Sequence, residues 1–221
     1  MISISEWMNR LTEELKTAFG NRLIFVGLQG SYRRGESHED SDIDAVVILD
    51  VLSLADLKTY KSILVGMPYN DKACGFVGGE KELHLWPKHE LFQFVSDTVS
   101  YYGSLEKLLP TISREDIVDG VKVGASALYH ACCHAYLHGN PEMLPELYKG
   151  TFFVLLSKYY LSSGQYINSK SELLSLLTGT DREILTKSMM LKSDPVETAK
   201  DSDEYYDALM RWSAKIITSE L

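Results

Sequence analysis

Asp42 and Asp44 stand one residue apart at the head of an apolar run, and Gly30 and Ser31 precede them in GLQGSYRRGESHEDSDIDAVVILD, residues 27–50. If Ile43 lies in a strand, successive side chains alternate between faces, so the two carboxylates project from one face while Ile43 turns into the core. Carboxylates held this close repel unless one is protonated or a cation sits between them. At neutral pH a divalent metal is the commoner remedy. Donors that are all oxygen favour Mg²⁺ or Mn²⁺ over Zn²⁺. Upstream, a strand running out into Gly30 and Ser31 makes a sharp turn whose backbone N–H groups suit phosphate. A metal and a phosphate cradle on neighbouring strands form the geometry for a nucleotide whose phosphates are bridged to the protein by metal.

The elements that must hold these residues follow from pattern. Ile4, Trp7, Leu11, Leu15 and Phe19 recur at helical spacing, with Gly20 placed as a C-cap. LIFVGL (23–28) and IDAVVILD (43–50) read as strands, and SLADLKTYKSILV (53–65) reads as a helix with a serine N-cap. GMPYNDKACGFVGGE reads as turn, since its glycines lack the strand-to-helix setting of a dinucleotide fingerprint. KELHLW (81–86) alternates and predicts a third strand ending at Pro87, and KHELFQFVSDTVSYY (88–102) returns to helical period. Beyond Pro110 apolar residues recur at helical spacing over about 115–138, 143–161, 170–178, 181–191 and 202–219, and strand signals vanish. The expectation is an α+β chain with a mixed domain over 1–108 and an all-helical domain over 109–221, the joint falling at about 105–112.

Net charge is −9, shared between residues 1–105 (10 basic, 15 acidic) and 106–221 (12 basic, 16 acidic). No basic stripe marks a phosphate-backbone partner, so nucleic acid is disfavoured and a cationic small molecule favoured. No apolar run suits a membrane span and MISISEWMNR lacks a secretory build, which predicts a cytoplasmic protein. Cys74 and the adjacent Cys132 and Cys133 make no disulfide framework. A calcium loop starting at Asp40 would need glycine at 45 and glutamate at 51, where Ala45 and Val51 stand. No GxxxxGK[ST] occurs. His130, His134 and His138 share a helix face, but three ligands over two turns cannot reach one ion, so they read as core or interface packing.

GSYRRGE followed by SDIDAVVIL resembles the signature of the nucleotidyltransferase superfamily that includes DNA polymerase beta: a Gly-Ser turn, then a hydrophobic-flanked Asp-x-Asp. Arg34 and Gly35 make it similar to minimal nucleotidyltransferases and aminoglycoside nucleotidyltransferases in particular. The resemblance implies an N-terminal catalytic domain, a small mixed sheet flanked by helices, with a helical domain closing over nucleotide and acceptor. It implies Mg²⁺ (or Mn²⁺) held by Asp42 and Asp44, and ATP or another nucleoside triphosphate over Gly30, Ser31 and Arg34, with Ser41 reaching a phosphate oxygen. Those families add a third carboxylate from a later strand. Glu82 matches it, with Glu80 as the alternative, and on an alternating strand His84 would share their face. LLSKYYLSSGQYINSKSELLSLL resembles the C-terminal domain of streptomycin/spectinomycin-type adenylyltransferases, whose lysine after the turn contacts phosphate. Lys170 matches that lysine. The implied activity is transfer of a nucleoside monophosphate, AMP from ATP, to a hydroxyl of a small cationic acceptor such as an aminoglycoside, with a role in antibiotic resistance. A protein-adenylylating enzyme of a toxin-antitoxin pair, an inactive nucleotide-binding module, and a homodimeric assembly all stay open.

Overall fold

Helix α1 (Ile4–Phe19) buries Trp7, Met8, Leu11, Leu15 and Phe19 along one face and stops at Gly20, whose φ is 53°. A computed structural model of the protein describes residues 2–139, 141–193 and 202–221. They fall into two units, Met1–Thr111 and Ile112–Leu221.

The first unit is built on a four-stranded sheet in the order β3-β2-β1-β4. Strand β1 (Leu23–Gln29) runs antiparallel to β2 (Ile43–Leu49) and to β4 (Val99–Tyr102), while β2 is parallel to β3 (Ala73–Gly79). Between β1 and β2 lies a single-turn helix, α2 (Gly30–Arg34), closed by Gly35 at φ 70°. Helix α3 (Leu54–Val65) joins β2 to β3 and begins with a reciprocal cap between Ser53 and Asp56. Ile43, Ala45, Val47 and Leu49 alternate toward α1 and are fully buried. On the other face Phe76 sets its ring edge-on against Trp86 and Phe94. Arg22, just before β1, donates to Asp50 and Asp56 (3.1 and 2.8 Å) and to the Val51 carbonyl (2.8 Å). This guanidinium holds the Asp56 carboxyl well below the usual carboxylate range, aided by Ser53.

Three sequence expectations fail here. The third strand is Ala73–Gly79, inside the stretch expected to be turn, and the segment expected to be that strand forms a short helix, α4 (Glu80–His84). Glycine enrichment argues against a strand in general, yet here it follows from close packing. A Cβ at Gly75 would lie 2.5 Å from the Ala45 nitrogen, and one at Gly78 would lie 2.8 Å from the Phe76 ring. The helix expected over 88–102 ends early: α5 (Lys88–Ser96) gives way at Asp97 to strand β4. The Thr98 hydroxyl donates back to the Phe94 carbonyl there, and Val99, Tyr101 and Tyr102 prefer extended backbone.

The second unit holds α6 (Arg114–Leu137), α7 (Leu144–Ser163), α8 (Lys170–Leu176), α9 (Gly179–Ser193) and α10 (Ser202–Thr218). Its core gathers Val121, Leu128, Tyr148, Phe152, Leu185 and Trp212. Polar groups tie the helices together: the Tyr148 hydroxyl donates to the Tyr205 carbonyl (2.8 Å), and Asp181 accepts from Lys158 and from the Trp212 indole (2.6 and 2.8 Å). Helix α6 turns Ile117, Val121, Ala125, Leu128, Cys132 and Ala135 inward. His130, His134 and His138 are exposed, contrary to a place in the core, with the last two rings 4.3 Å apart between centroids. Among the described residues no helix is long and apolar enough to cross a membrane, and all three cysteines are free.

Candidate active site

The chain brings Gly30 and Asp44 together through strand register. Gln29, the last residue of β1, pairs with Asp44 in β2, so the next residue turns directly beneath the Asp44 carboxylate. The approach is too close for any side chain: a Cβ at Gly30 would lie 2.8 Å from Asp44 Cγ and nearer still to Oδ2, and φ there is 74°. Asp44 is half-buried and Asp42, one residue before the strand, is exposed. The intervening Ile43 is wholly buried among α1-facing residues, so Asp44 projects from the opposite face of β2.

Ser41 is 6% exposed, and its hydroxyl accepts the His38 N–H at 2.9 Å while its own N–H donates to the His38 carbonyl at 3.0 Å. It fixes the turn that delivers Asp42. Arg34 does not extend into solvent. Its guanidinium donates to Asp97 Oδ2 at 2.5 Å and lies 3.4 Å from Glu36, with a side chain only 10% exposed.

Asp97 is the site residue that the sequence reading missed. It is 7% exposed, its Oδ2 also accepts the Gly30 N–H at 3.2 Å, and its Oδ1 is buried with no hydrogen-bond partner among the described residues. Asp44, on β2, and Asp97, in the turn leading into β4, thus reach Gly30 from either side of β1. A signal was present: in SDTVSYY an acid directly precedes a β-branched and aromatic run, as in SDIDAVVIL.

Glu82 is not brought to this cluster. It lies on α4, its carboxylate packed against Gly79, where a Cβ would be 3.3 Å from Glu82 Cδ. Gly79 pairs with Leu49, at the opposite end of β2 from Asp44. Five residues of strand at about 3.3 Å each separate those ends by roughly 16 Å. Glu80 starts the same helix, and His84 sets Nδ1 3.1 Å from the Leu108 carbonyl. Lys170 belongs to the helical unit, where it opens α8 behind the Ser169 cap and sets its ammonium 5.3 Å from the centre of the Phe152 ring.

The nucleotidyltransferase domain family matches residues 8–91. A protein adenylyltransferase, MntA, from Thermococcus cleftensis is 39% identical over 74 residues, which cover 30% of this chain and 73% of that protein. The chain belongs to the nucleotidyltransferase superfamily. In fold, this nucleotidyltransferase is similar to a spectinomycin adenyltransferase, AAD(9), from Enterococcus faecialis, whose crystal structure holds ATP and spectinomycin. The TM-score is 0.61 at 15% identity, covering 96% of this chain and 99% of that one. The chain is an enzyme of the nucleotidyltransferase type, with the α+β architecture of that class.

The donor set fits a hard divalent cation. Asp42 and Asp44 offer only carboxylate oxygens. Among the described residues no third His, Cys, Asp or Glu joins them as a ready-made cage. Mg²⁺ tolerates this, since it keeps several waters and takes one or two carboxylates plus substrate phosphates.

Proposed function

We propose that this nucleotidyltransferase moves a nucleoside monophosphate, AMP from ATP, to a hydroxyl of a small cationic acceptor. The observation that carries the reading is the Asp44 carboxylate seated directly over Gly30 of the Gly-Ser turn. The turn Gly30–Ser31 receives the triphosphate, and Asp42 and Asp44 would hold the divalent metal. A bound Mg²⁺ supplies charge neutralisation on the phosphate oxygens. The acceptor hydroxyl gives its proton up to water, its oxygen bonds to the α-phosphorus, the bond from that phosphorus to the α,β-bridging oxygen breaks, and pyrophosphate leaves. Positioning and electrostatics supply most of the rate, which is why the acids must be held rather than merely present. A net charge of −9 favours a polycation such as an aminoglycoside as acceptor.

A second reading has an observation of its own. The 39% identical relative is named a protein adenylyltransferase, which favours a side chain of a partner protein as the acceptor. Both readings share one chemistry and part at the acceptor.

The test is pyrophosphate release from ATP and GTP with Mg²⁺ across a panel of aminoglycosides, spectinomycin and lincosamides, with Asp42→Asn as control. Release that depends on one compound and vanishes in the variant supports the small-molecule reading. Silence across the panel, with calorimetry still showing Mg²⁺-dependent ATP binding, moves the assignment to a protein acceptor. No nucleotide binding refutes both.

A further inference from the structure

The segment Gln29–Arg34 is fastened to the turn between α5 and β4. Gln29 Nε2 donates to the Phe94 carbonyl (3.0 Å) and the Thr98 hydroxyl (2.7 Å), and Arg33 Nη2 donates to the Ser96 carbonyl (3.2 Å). Gly30 N–H and Arg34 Nη1 both donate to Asp97 Oδ2, at 3.2 and 2.5 Å. Asp97 is the charged member of that turn, and it binds the first and the last residue of α2 through one oxygen.

A helix of five residues cannot hold its own shape, because isolated helices below about 12 residues are marginal in water. Gly30 adds freedom, since glycine samples left- and right-handed backbone about equally. The geometry of the turn is therefore imposed from outside. Asp97 ties both ends of it, and the pairing is buried, with both side chains 10% exposed.

We propose that Asp97 is a positioning residue for nucleotidyl transfer: through Arg34 and the Gly30 amide it holds the Gly30–Ser31 turn in register with Asp44, without itself touching the reacting groups. This rests on the reading of that turn as the triphosphate cradle. It also gives Arg34 a role the sequence did not suggest, as the counter-ion that makes a buried carboxylate at the turn tolerable. Removing one partner breaks this buried ion pair at a larger cost than removing both.

The experiment compares Asp97→Asn, Arg34→Gln and the double variant. The readouts are kcat and KM for ATP in pyrophosphate release, the Mg²⁺ concentration for half-maximal rate, and hydrogen exchange of the peptide over 29–35. Each single substitution is expected to raise KM for ATP by about ten- to a hundredfold, the scale of a lost charge-assisted hydrogen bond. The double variant should be no worse than the worse single one, and exchange over 29–35 should quicken in all three. If Asp97→Asn does not fold, Gln29→Met removes a neutral tie of the same segment and should raise KM in the same direction by less.

Unchanged KM and unchanged exchange in Asp97→Asn overturn the proposal, as do losses in the two single variants that simply add. So does a shift confined to the Mg²⁺ requirement with Arg34→Gln near wild type, which would make Asp97 a direct metal ligand. Should the wild-type protein turn over no nucleotide, the functional reading fails separately. The exchange comparison still decides whether Asp97 sets the turn.

Discussion

Replacing Gly30 by alanine tests the site where its geometry is tightest. The added carbon would stand 2.8 Å from Asp44 Cγ and 3.2 Å from Asp44 Cβ, and nearer still to Oδ2. Carbon contacts settle at about 3.5–4.0 Å, so the carboxylate has to retreat by about 1 Å. Its root cannot follow, because Asp44 is locked in β2 opposite Gln29. A left-handed φ of 74° adds a backbone cost of about 1–2 kcal/mol for any L side chain. Swinging a short carboxylate is cheap for the fold, so the stability loss should stay within about 3 kcal/mol. For the reaction the same movement is expensive: a misplacement of about 1 Å costs about a hundredfold in rate. Gly35→Ala separates the two effects, since it has φ 70° and nothing within 4 Å of the added carbon. The assay is kcat for pyrophosphate release beside a urea unfolding midpoint for each variant. Gly30→Ala should lose about a hundredfold in kcat, and Gly35→Ala much less at a similar cost in stability. A Gly30→Ala enzyme with wild-type kcat would refute the claim that catalysis uses Asp44 where it now sits.

On the proposed function, Asp42→Asn and Asp44→Asn should each lower Mg²⁺-dependent pyrophosphate release by at least about a hundredfold while leaving the circular dichroism melt near wild type, because a metal held by these oxygens would contribute several kcal/mol. The Asp56 carboxyl is held below its ordinary value of 3.8, so its stabilising contribution is complete above that value and is lost as pH falls below it. Melting temperatures at pH 7 and pH 3 should therefore differ less in Asp56→Asn than in wild type, and an equal difference would show that the Arg22 pair carries none of the acid sensitivity. Gly75→Ala forces a carbon to 2.5 Å from the Ala45 nitrogen at φ 117° and should destabilise the first unit by more than about 2 kcal/mol, read by urea denaturation.

The motif and its carriers were legible in the sequence because each is written locally. The apolar period of Ile4–Phe19, the β-branched runs of β1 and β2, and the capped start of α3 all state their element without help from distant residues. The helices after residue 112 were legible for the same reason. What stayed hidden was non-local. Strand β3 carries Gly75 and Gly79 because of what Ala45 and Glu82, both outside it, place against them, a requirement invisible within ACGFVGG itself. KELHLW alternates like a strand, but its Leu83 is buried and its Glu82 and His84 are exposed over a single helical turn, a pattern both periods satisfy at that length. Placing Glu82 at the site followed from that misread strand, and missing Asp97 followed from reading β4 as helix.

The strand order has a consequence for how the protein is made. Strand β1 is central and apolar, and its two neighbours come from very different points in the chain: β2 soon after it, β4 only at Val99–Tyr102. During synthesis at about 5–20 residues per second, one side of LIFVGLQ is an unpaired edge for several seconds. Such an edge is a template for another chain. Changes that slow the docking of β4, at Thr98 or at Gly103 where a Cβ would press on the Ile24 carbonyl carbon at 3.3 Å, should reduce soluble yield more than they reduce the stability of protein that has already folded.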